Sequence, residues 1–181
     1  MRVIAGEFRS RIIKEVGILS TRETKDLVKE SIFNSIGPNF IDRNVLDLFA
    51  GSGSLGIEAL SRGASSCVFV DNNKYAIKTI NQNLHSLKLT SNIKVVLNEY
   101  AKFLNNLDQK FDIILLDPPY DLEVIELIIE TVSKKKILAD NGVIVVLTSK
   151  KSLIKDQISD IIKYKEKVKG ITKISFWEWG F

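Results

Sequence analysis

The segment Asp117-Pro118-Pro119-Tyr120, which directly follows the apolar run Ile113 to Leu116, has residue types suited to methylation of an exocyclic amine. An aryl amine is a poor nucleophile because conjugation withdraws its lone pair. The Asp117 carboxylate and the Pro118 carbonyl can both accept hydrogen bonds from such an amine, and they stabilise the positive charge that develops as the C–N bond forms. The prolines fix the direction of that carbonyl by locking φ, and the Tyr120 ring offers a face on which a base stacks. These four residues are the predicted catalytic residues.

A glycine-rich segment, Gly51-Ser52-Gly53-Ser54-Leu55-Gly56, matches the pattern G-x-G-x-x-G. It follows an apolar run and opens a stretch with helical spacing, which is the context that a cofactor-binding loop requires. Glycine allows the backbone to turn tightly and to approach a ligand closely. Asp71 comes 20 residues after Gly51 and can accept hydrogen bonds from vicinal ribose hydroxyls. Both features fit a nicotinamide dinucleotide as well as S-adenosylmethionine.

Two further acidic residues lie near this loop in the sequence. Asp47 is inside an apolar strand pattern, and a buried carboxylate is costly without a partner. Either a cofactor ammonium group or the backbone of the glycine loop would supply that partner. Glu99 is predicted either to accept a hydrogen bond from an adenine amino group or to cap the next helix.

The Asp-Pro-Pro-Tyr segment decides between the two cofactors, because a nicotinamide-dependent oxidoreductase would leave it unexplained. The predicted cofactor is therefore S-adenosylmethionine. Its predicted contacts are Asp47, Phe49, Ala50, Gly51, Ser52, Gly53, Gly56, Asp71, Asn72, Glu99 and Tyr100.

An alternation of apolar runs and helical patterns must position these segments. The predicted strands cover 45–49, 67–70, 93–97, 111–116 and 143–147, the predicted helices cover 55–62, 74–87, 124–138 and 153–162, and a closing hairpin covers 164–169 and 171–177. Such alternation predicts βαβ units and a parallel sheet that is covered on both faces. Because ligands bind at the carboxyl ends of such strands, we expect the loops after the first four strands to line one crevice.

The first 40 residues follow a different pattern. Residues 2–6 and 11–13 flank a short turn and are predicted to pair as a hairpin. Thr24 is predicted to cap a helix that runs to Ile36. We expect residues 1–40 to be an extension packed on a catalytic core of residues 41–181, so that the chain forms one domain.

The composition narrows the class of protein. With 181 residues, 45% of them hydrophobic, and a net charge of +4, the chain does not resemble a disordered protein. One Cys excludes an internal disulfide, and one Cys, one His and one Met provide no metal-ligand cluster. The apolar runs are too short to span a bilayer, and charged residues interrupt the N-terminus before a signal-peptide core. We therefore expect a cytoplasmic protein that does not enter the membrane.

Three segments match the pattern of one known family. Arg2-Val3-Ile4-Ala5-Gly6 with Arg9-Ser10-Arg11 resembles its opening, and residues 22–34, which end in Ile32-Phe33-Asn34, resemble its second segment. Residues 47–63 fit its glycine-rich motif almost residue for residue. Over nearly its whole length the chain thus resembles the RsmD family of bacterial 16S ribosomal RNA guanine-N2 methyltransferases. The Asp-Pro-Pro-Tyr segment occurs in many methyltransferases, so the first two segments single out this family.

The resemblance implies an α/β, Rossmann-like S-adenosylmethionine-dependent methyltransferase fold. The implied sheet has seven strands, is mostly parallel and has an antiparallel last strand, and a short N-terminal hairpin and helix help to hold RNA. The implied partner is 16S ribosomal RNA, either naked or in the small ribosomal subunit or an assembly intermediate, bound by a monomer. The predicted RNA-binding residues are Arg2, Arg9, Arg11, Arg22 and Lys29.

Three alternatives remain open at this point. An enzyme with the same cofactor could methylate another planar amine, such as that of adenine or of a glutamine side chain. A nicotinamide-dependent oxidoreductase would use the glycine loop alone. A module that binds RNA or cofactor without activity is the third, and the intact Asp117 and glycine loop argue against it.

Overall fold

The computed structural model describes residues 1–17, 25–119 and 122–181, which form one mixed sheet covered by helices. Its elements are α1 (Asp26–Ile36), β1 (Asn44–Leu48), α2 (Ser54–Ser61), β2 (Ser66–Asp71), α3 (Lys74–Ser86), β3 (Ile93–Leu97), α4 (Tyr100–Asn105), β4 (Phe111–Leu116), α5 (Leu122–Lys135), β5 (Leu138–Ser149), β6 (Gln157–Ile158), β7 (Ile161–Lys169) and β8 (Thr172–Trp179). None of the helices in these ranges combines the length and the apolar character that a membrane crossing requires.

The strand order across the sheet is β3-β2-β1-β4-β5-β8-β7-β6. The strands from β1 to β5 pair in parallel, whereas β8 runs antiparallel to both β5 and β7, and β6 runs antiparallel to β7. The predicted α/β sheet with an antiparallel last strand is confirmed, but it has eight strands because the two-residue β6 adds to the seven expected. The strand order reverses between β1 and β4, and such a switch point is where ligands bind in open α/β sheets.

Both faces of the central strands are buried, as their continuous apolar sequences predict. On one face, Val45 of β1 and Ile113 of β4 pack in a core with residues of α1, α2 and α3. On the other face, Leu46 and Ile114 pack with residues of α4 and α5. Successive side chains of a strand point to opposite faces, so each central strand contributes to both cores.

The N-terminal residues pack on the first of these cores. The predicted hairpin is present as one antiparallel bridge between Arg2 and Ile12, and Val3 and Ile13 are buried in the core. Lys25, rather than Thr24, occupies the N-cap position of α1, and it makes no capping side-chain hydrogen bond. Thr24 itself lies outside the described residues.

The predicted helix over 153–162 is wrong, because β6 and the start of β7 occupy this stretch. Ile154, Ile158 and Ile161 have the spacing of a helix face, but pairing with β8 places Ile161 in the sheet opposite Trp179. Ser159 also has a φ of 50°, which a regular helix does not accept. Tertiary pairing has overridden the local pattern here.

The predicted boundary between the helix at 124–138 and the strand at 143–147 is also wrong. The helix α5 ends at Lys135, and β5 begins at Leu138 and continues to Ser149. Lys136 has a φ of 56°, so the chain leaves the helix at this point. The hairpin of β7 and β8 around Gly170 is confirmed.

Candidate active site

A cleft of about 390 Å³ lies at the carboxyl ends of β1, β2, β3 and β4. Its lining residues are Phe49, Gly51, Asp71, Asn72, Asn73, Tyr100, Asp117, Pro118, Pro119 and, from α5, Val124. The prediction that four loops form one crevice is confirmed, and its volume lies in the range of small-molecule sites. Tyr120 and Arg22 lie outside the described residues, so their roles stay predictions.

The glycine loop turns sharply between β1 and α2. Phe49, Gly51 and Gly53 have φ values of 67°, 58° and 81°, in the left-handed region that favours glycine. At Phe49, which has a side chain, such a conformation is strained, and strain of this kind clusters at functional sites. A Cβ atom on Gly56 would lie 2.3 Å from Cε1 of Phe69, so only glycine lets α2 pack this closely on β2.

Asp71 is held at the cleft by two main-chain hydrogen bonds. Its Oδ2 atom accepts from the amide of Gly51 at 2.9 Å, and its Oδ1 atom accepts from the amide of Asn73 at 2.9 Å. Each carboxylate oxygen can accept a further hydrogen bond. The carboxylate is therefore oriented and available for the predicted contact with ribose hydroxyls.

Asp47 lies behind the cleft rather than on its surface. Its side chain is buried, and its Oδ2 atom accepts a hydrogen bond from the amide of Gly56 at 2.9 Å. Of the two predicted partners, the structure thus shows the backbone of the glycine motif. Burial raises the pKa of Asp47 well above its ordinary range, the Gly56 amide opposes that shift, and the carboxylates of Asp117 and Asp71 add to it.

The remaining predicted cofactor residues occupy different positions relative to the cleft. Tyr100 lines the cleft, and its ring centroid lies 5.4 Å from that of Phe49, so the two rings form an aromatic wall. Glu99 is exposed at the N-cap position of α4 without a capping side-chain hydrogen bond, and its contact with adenine stays a prediction. The predicted residues that do not line the cleft and are buried are Ala50, Ser52, Gly53 and Gly56.

Asn83, on the buried side of α3, is a residue that sequence reasoning missed. Its Nδ2 atom donates to the carbonyl oxygens of Lys14 and Ser52, both at 2.9 Å, and its Oδ1 atom accepts from the amide of Lys14 at 2.8 Å. One side chain thus joins the N-terminal segment to the glycine loop. The only signal in the sequence is a polar residue beside Ile80 and Leu84 on the apolar face of the helix.

Lys29 is fully buried, so the prediction that it contacts RNA is wrong. Its ammonium group donates to the carbonyl of Arg2 and to Oγ of Ser54, and it lies 3.7 Å from Oε2 of Glu58. Burial lowers the pKa of Lys29, and the carboxylates of Glu58 and Asp26 oppose that shift. A buried cation requires such partners, whereas an RNA contact requires exposure.

Glu58 fastens the N-terminal segment to α2. Its two carboxylate oxygens accept from the amides of Ile4 and Ala5 at 2.8 Å and 3.0 Å, and Oε1 also accepts from Nε of Arg62 at 2.9 Å. The residue is fully buried. Because α2 begins at the glycine loop, this network connects residues 1–5 to the element that follows the loop.

The exposed arginines of the N-terminal segment lie at different distances from the cleft. The turn that contains Arg9 is hydrogen-bonded to Ser61 at the end of α2, and Arg11 donates to the carbonyl of Ser86 at the end of α3. Both helices start at the carboxyl edge of the sheet and end at its amino edge. Arg9 and Arg11 therefore lie towards the edge opposite the cleft, and Arg2 is exposed near the start of α1. Their contacts with RNA stay predictions.

Comparison with known proteins places this fold and cleft in a family. The family model described as conserved hypothetical protein 95 matches residues 1–178. The Bacillus subtilis (strain 168) protein YlbH is 39% identical over 181 residues, with 98% of each chain covered. The Haemophilus influenzae protein named ribosomal RNA small subunit methyltransferase D is 35% identical over 177 residues, which cover 91% of this chain and 92% of that one. The solved structure of the Escherichia coli protein yhhF has a TM-score of 0.89 at 29% identity, with 99% of this chain and 97% of that chain covered. The chain therefore belongs to the conserved hypothetical protein 95 family, which is the RsmD family that its sequence resembles.

Proposed function

We propose that this protein is an S-adenosylmethionine-dependent methyltransferase that modifies the exocyclic N2 amine of a guanine in 16S ribosomal RNA, of the guanine-966 type. The observation that carries the proposal is that Asp71 and the Asp117-Pro118-Pro119 segment face one cleft from β2 and β4, with β1 between them. Two strand spacings separate these strands, which is about 10 Å. A cofactor ribose at Asp71 and a target amine at Asp117 therefore fit in the same cleft.

The cofactor half of the cleft supplies recognition groups of the kinds that S-adenosylmethionine requires. Asp71 offers carboxylate oxygens to the ribose hydroxyls, and Phe49 and Tyr100 offer aromatic surface to the adenine ring. The left-handed backbone at Gly51 and Gly53 allows the main chain to approach the cofactor closely. When bound, the cofactor supplies a methyl group that is activated by the sulfonium charge.

The acceptor half holds the amine. Asp117 and the carbonyl of Pro118 accept its two N–H groups, which directs the nitrogen towards the methyl group and stabilises the charge that develops on it. The cationic product amine loses its proton readily, so no strong general base is required. The rate then depends mainly on positioning, which a proline-locked carbonyl provides. Tyr120 is proposed to stack on the target base.

We infer that the substrate is 16S ribosomal RNA, naked or within the small subunit or an assembly intermediate, and that the chain acts as a monomer in the cytoplasm. The relatives named for methylation of small-subunit ribosomal RNA support the choice of substrate. We also infer that residues 1–181 act as one domain, because Val3 and Ile13 of the N-terminal segment share a core with α1, α2 and the sheet.

The test compares modified nucleosides in ribosomal RNA from cells that have or lack this protein. We expect loss of one N2-methylguanosine in 16S ribosomal RNA, restored by the wild-type gene and not by Asp117→Ala. Unchanged N2-methylguanosine together with loss of a methylated adenosine would instead support the alternative in which adenine is the substrate. Transfer of labelled methyl from S-adenosylmethionine to a 16S transcript by the purified protein tests the same reaction directly.

A further inference from the structure

The positive charge of this chain is concentrated between residues 150 and 173. The lysines of this stretch are Lys150, Lys151, Lys155, Lys163, Lys165, Lys167, Lys169 and Lys173, and its acidic residues are Asp156, Asp160 and Glu166. Eight lysines and three acidic residues give the stretch a charge of +5, whereas the whole chain has +4. The rest of the molecule therefore has a net charge of −1, and this stretch accounts for the basic character of the protein.

The sheet topology brings the two ends of this stretch to the edge that bears the cleft. Because β8 is antiparallel to both β5 and β7, β7 runs in the same direction as the strands from β1 to β5. The register of β4 and β5 pairs Leu116, the residue before Asp117, with Val146. Three residues further along β5, Ser149 pairs with Thr172, which pairs with Lys169. The ends of β5 and β7 thus continue the row that begins at the catalytic segment.

The distance along this row suits a nucleic acid backbone. Three strand spacings separate β4 from β7, which is about 14 Å. A row of this length can contact the phosphates of a few successive nucleotides of one strand. An RNA strand whose target base lies at Asp117 would carry its next phosphates over the ends of β5, β8 and β7.

Several lysines at this edge are available for such contacts. Lys155, Lys163 and Lys173 are ion-paired with carboxylates. Within residues 1–17, 25–119 and 122–181, no carboxylate oxygen lies within 4.0 Å of Nζ of Lys150, Lys151, Lys167 or Lys169, and each of these side chains is exposed or half-buried. An unpaired surface ammonium group is the kind of point charge that binds phosphate.

We propose that Lys150, Lys151, Lys167 and Lys169, here named the lysine edge, bind the phosphate backbone of the ribosomal RNA beside the acceptor half of the cleft. This inference rests on the proposed function, because it requires an RNA whose target base enters at Asp117. Lysine side chains bind phosphate oxygens as point charges, which positions a nucleic acid without reading its bases. The lysine edge therefore contributes affinity and orientation, and the cleft selects the base.

The experiment measures binding of a labelled 16S ribosomal RNA transcript by fluorescence anisotropy between about 50 and 200 mM KCl. The test variant carries Lys150→Gln, Lys167→Gln and Lys169→Gln. The matched control carries Lys110→Gln, Lys134→Gln and Lys136→Gln, which remove the same charge from exposed lysines at the opposite edge of the sheet. A second test variant carries Lys150→Arg, Lys167→Arg and Lys169→Arg, which keep the charge.

We expect the glutamine variant of the lysine edge to bind the transcript at least about tenfold more weakly. The slope of log affinity against log salt concentration should decrease by an amount that corresponds to about two to three phosphate contacts. The control and the arginine variant should bind nearly as the wild type does. The affinity for S-adenosylmethionine and the turnover at saturating RNA should stay within about twofold in every variant, because none of these lysines lines the cleft.

Two results would overturn the proposal while the proposed function stands. In the first, the wild type methylates the transcript, but the lysine-edge variant and the glutamine control lose affinity for it to the same extent. The affinity would then depend on the total charge of the protein and not on the lysine edge. If the lysine-edge variant loses affinity for small subunits but not for the transcript, the edge contacts a ribosomal protein instead of RNA. Failure of the wild type to methylate ribosomal RNA or subunits would refute the proposed function, and the lysine edge with it.

Discussion

The two halves of the cleft are built in different ways. In the cofactor half, formed by the loops after β1, β2 and β3, the carboxylates of Asp47 and Asp71 accept hydrogen bonds from main-chain amides. Asn83 and Glu58 join this half to the N-terminal segment. The acceptor half, at the carboxyl end of β4, has the proline-locked segment that begins at Asp117, and the lysine edge lies beside it, outside the cleft.

The difference reflects the two ligands that the halves are proposed to bind. A small cofactor has a fixed shape, and a site that is already hydrogen-bonded in the right geometry loses little entropy on binding it. A long polyanion is held by charge spread over a surface, and its affinity depends on salt. Substitutions in the cofactor half should therefore change cofactor affinity, and those in the acceptor half should change turnover or RNA affinity.

The largest effect is expected from Asp117→Ala in the acceptor half. Turnover should fall by about 100-fold or more, because the variant loses an acceptor for the amine and a charge that stabilises the transition state. The dissociation constant for S-adenosylmethionine should stay within about twofold. Single-turnover methylation of the transcript and calorimetric titration with the cofactor measure the two quantities.

Asp140→Ala provides the control for this variant, since Asp140 is 92% exposed at the opposite edge of the sheet and its removal should change neither quantity. A loss of cofactor affinity as large as the loss of turnover would show that Asp117 serves the cofactor half. The separation between the halves would then be incorrect.

A smaller effect, on affinity, is expected from Asp71→Ala in the cofactor half. The dissociation constant for S-adenosylmethionine should rise about 10- to 100-fold, because hydrogen bonds to a charged group contribute about 1.5–3 kcal/mol. The amides of Gly51 and Asn73 also lose their acceptor. At saturating cofactor, turnover should stay within about threefold of the wild type. Steady-state kinetics over a range of cofactor concentrations separate the effect on cofactor affinity from the effect on turnover. A fall in turnover without a change in cofactor affinity would contradict the prediction.

Asn83→Ala tests whether the N-terminal segment supports the glycine loop. The dissociation constant for S-adenosylmethionine should rise about three- to tenfold, because hydrogen bonds that each contribute about 1 kcal/mol no longer join Lys14 to Ser52. Asn81→Ala is the matched control, since Asn81 lies on the same helix, is exposed and donates to the carbonyl of Ile77. Equal cofactor affinities of the two folded variants would show that Asn83 has a structural role alone.

The smallest effect is a pH dependence of stability that Asp47 contributes. Burial raises the pKa of Asp47 well above its ordinary value of 3.8, so the folded protein favours the protonated form. The stability from this group is present in full below pH 3.8 and is lost as pH rises through the higher pKa of the folded state. Asp47→Asn keeps an oxygen that can accept from Gly56 and removes this titration. Calorimetric Tm values should therefore increasingly favour the variant as pH rises from about 4 to 7. A Tm difference that does not change with pH would exclude this effect.

Much of the cofactor half could be predicted from the sequence because its signals are local. The glycine loop follows directly on β1, and Asp71 ends β2 one βαβ unit later. In such a unit, consecutive segments are neighbours in space, so chain order predicts which loops meet. A second rule, that ligands bind at the carboxyl ends of the strands near the point where strand order reverses, places Asp117 at the cleft, because β4 lies beside β1.

The remaining features depend on contacts between distant parts of the chain, and there the sequence alone was insufficient. Asn83 is hydrogen-bonded to Lys14, which lies 69 residues away in the sequence, and Glu58 is hydrogen-bonded to Ala5, which lies 53 residues away. Lys29 is a basic residue of the type that contacts RNA, and only the packing of α1 on the core shows that it is buried. The isoleucines of 153–162 fit a helix as well as a strand until β8 provides a partner for β7.

The sequence by itself predicted the chemistry and the order of the elements from β1 to β5, since residue types and spacing are properties of contiguous segments. Tertiary structure alone decided which charges are buried, which element ends share an edge, and therefore which lysines lie beside the acceptor cleft. The physical reason is that burial and strand pairing are set by partners far away in the chain, and a pattern read along one segment has no information about them.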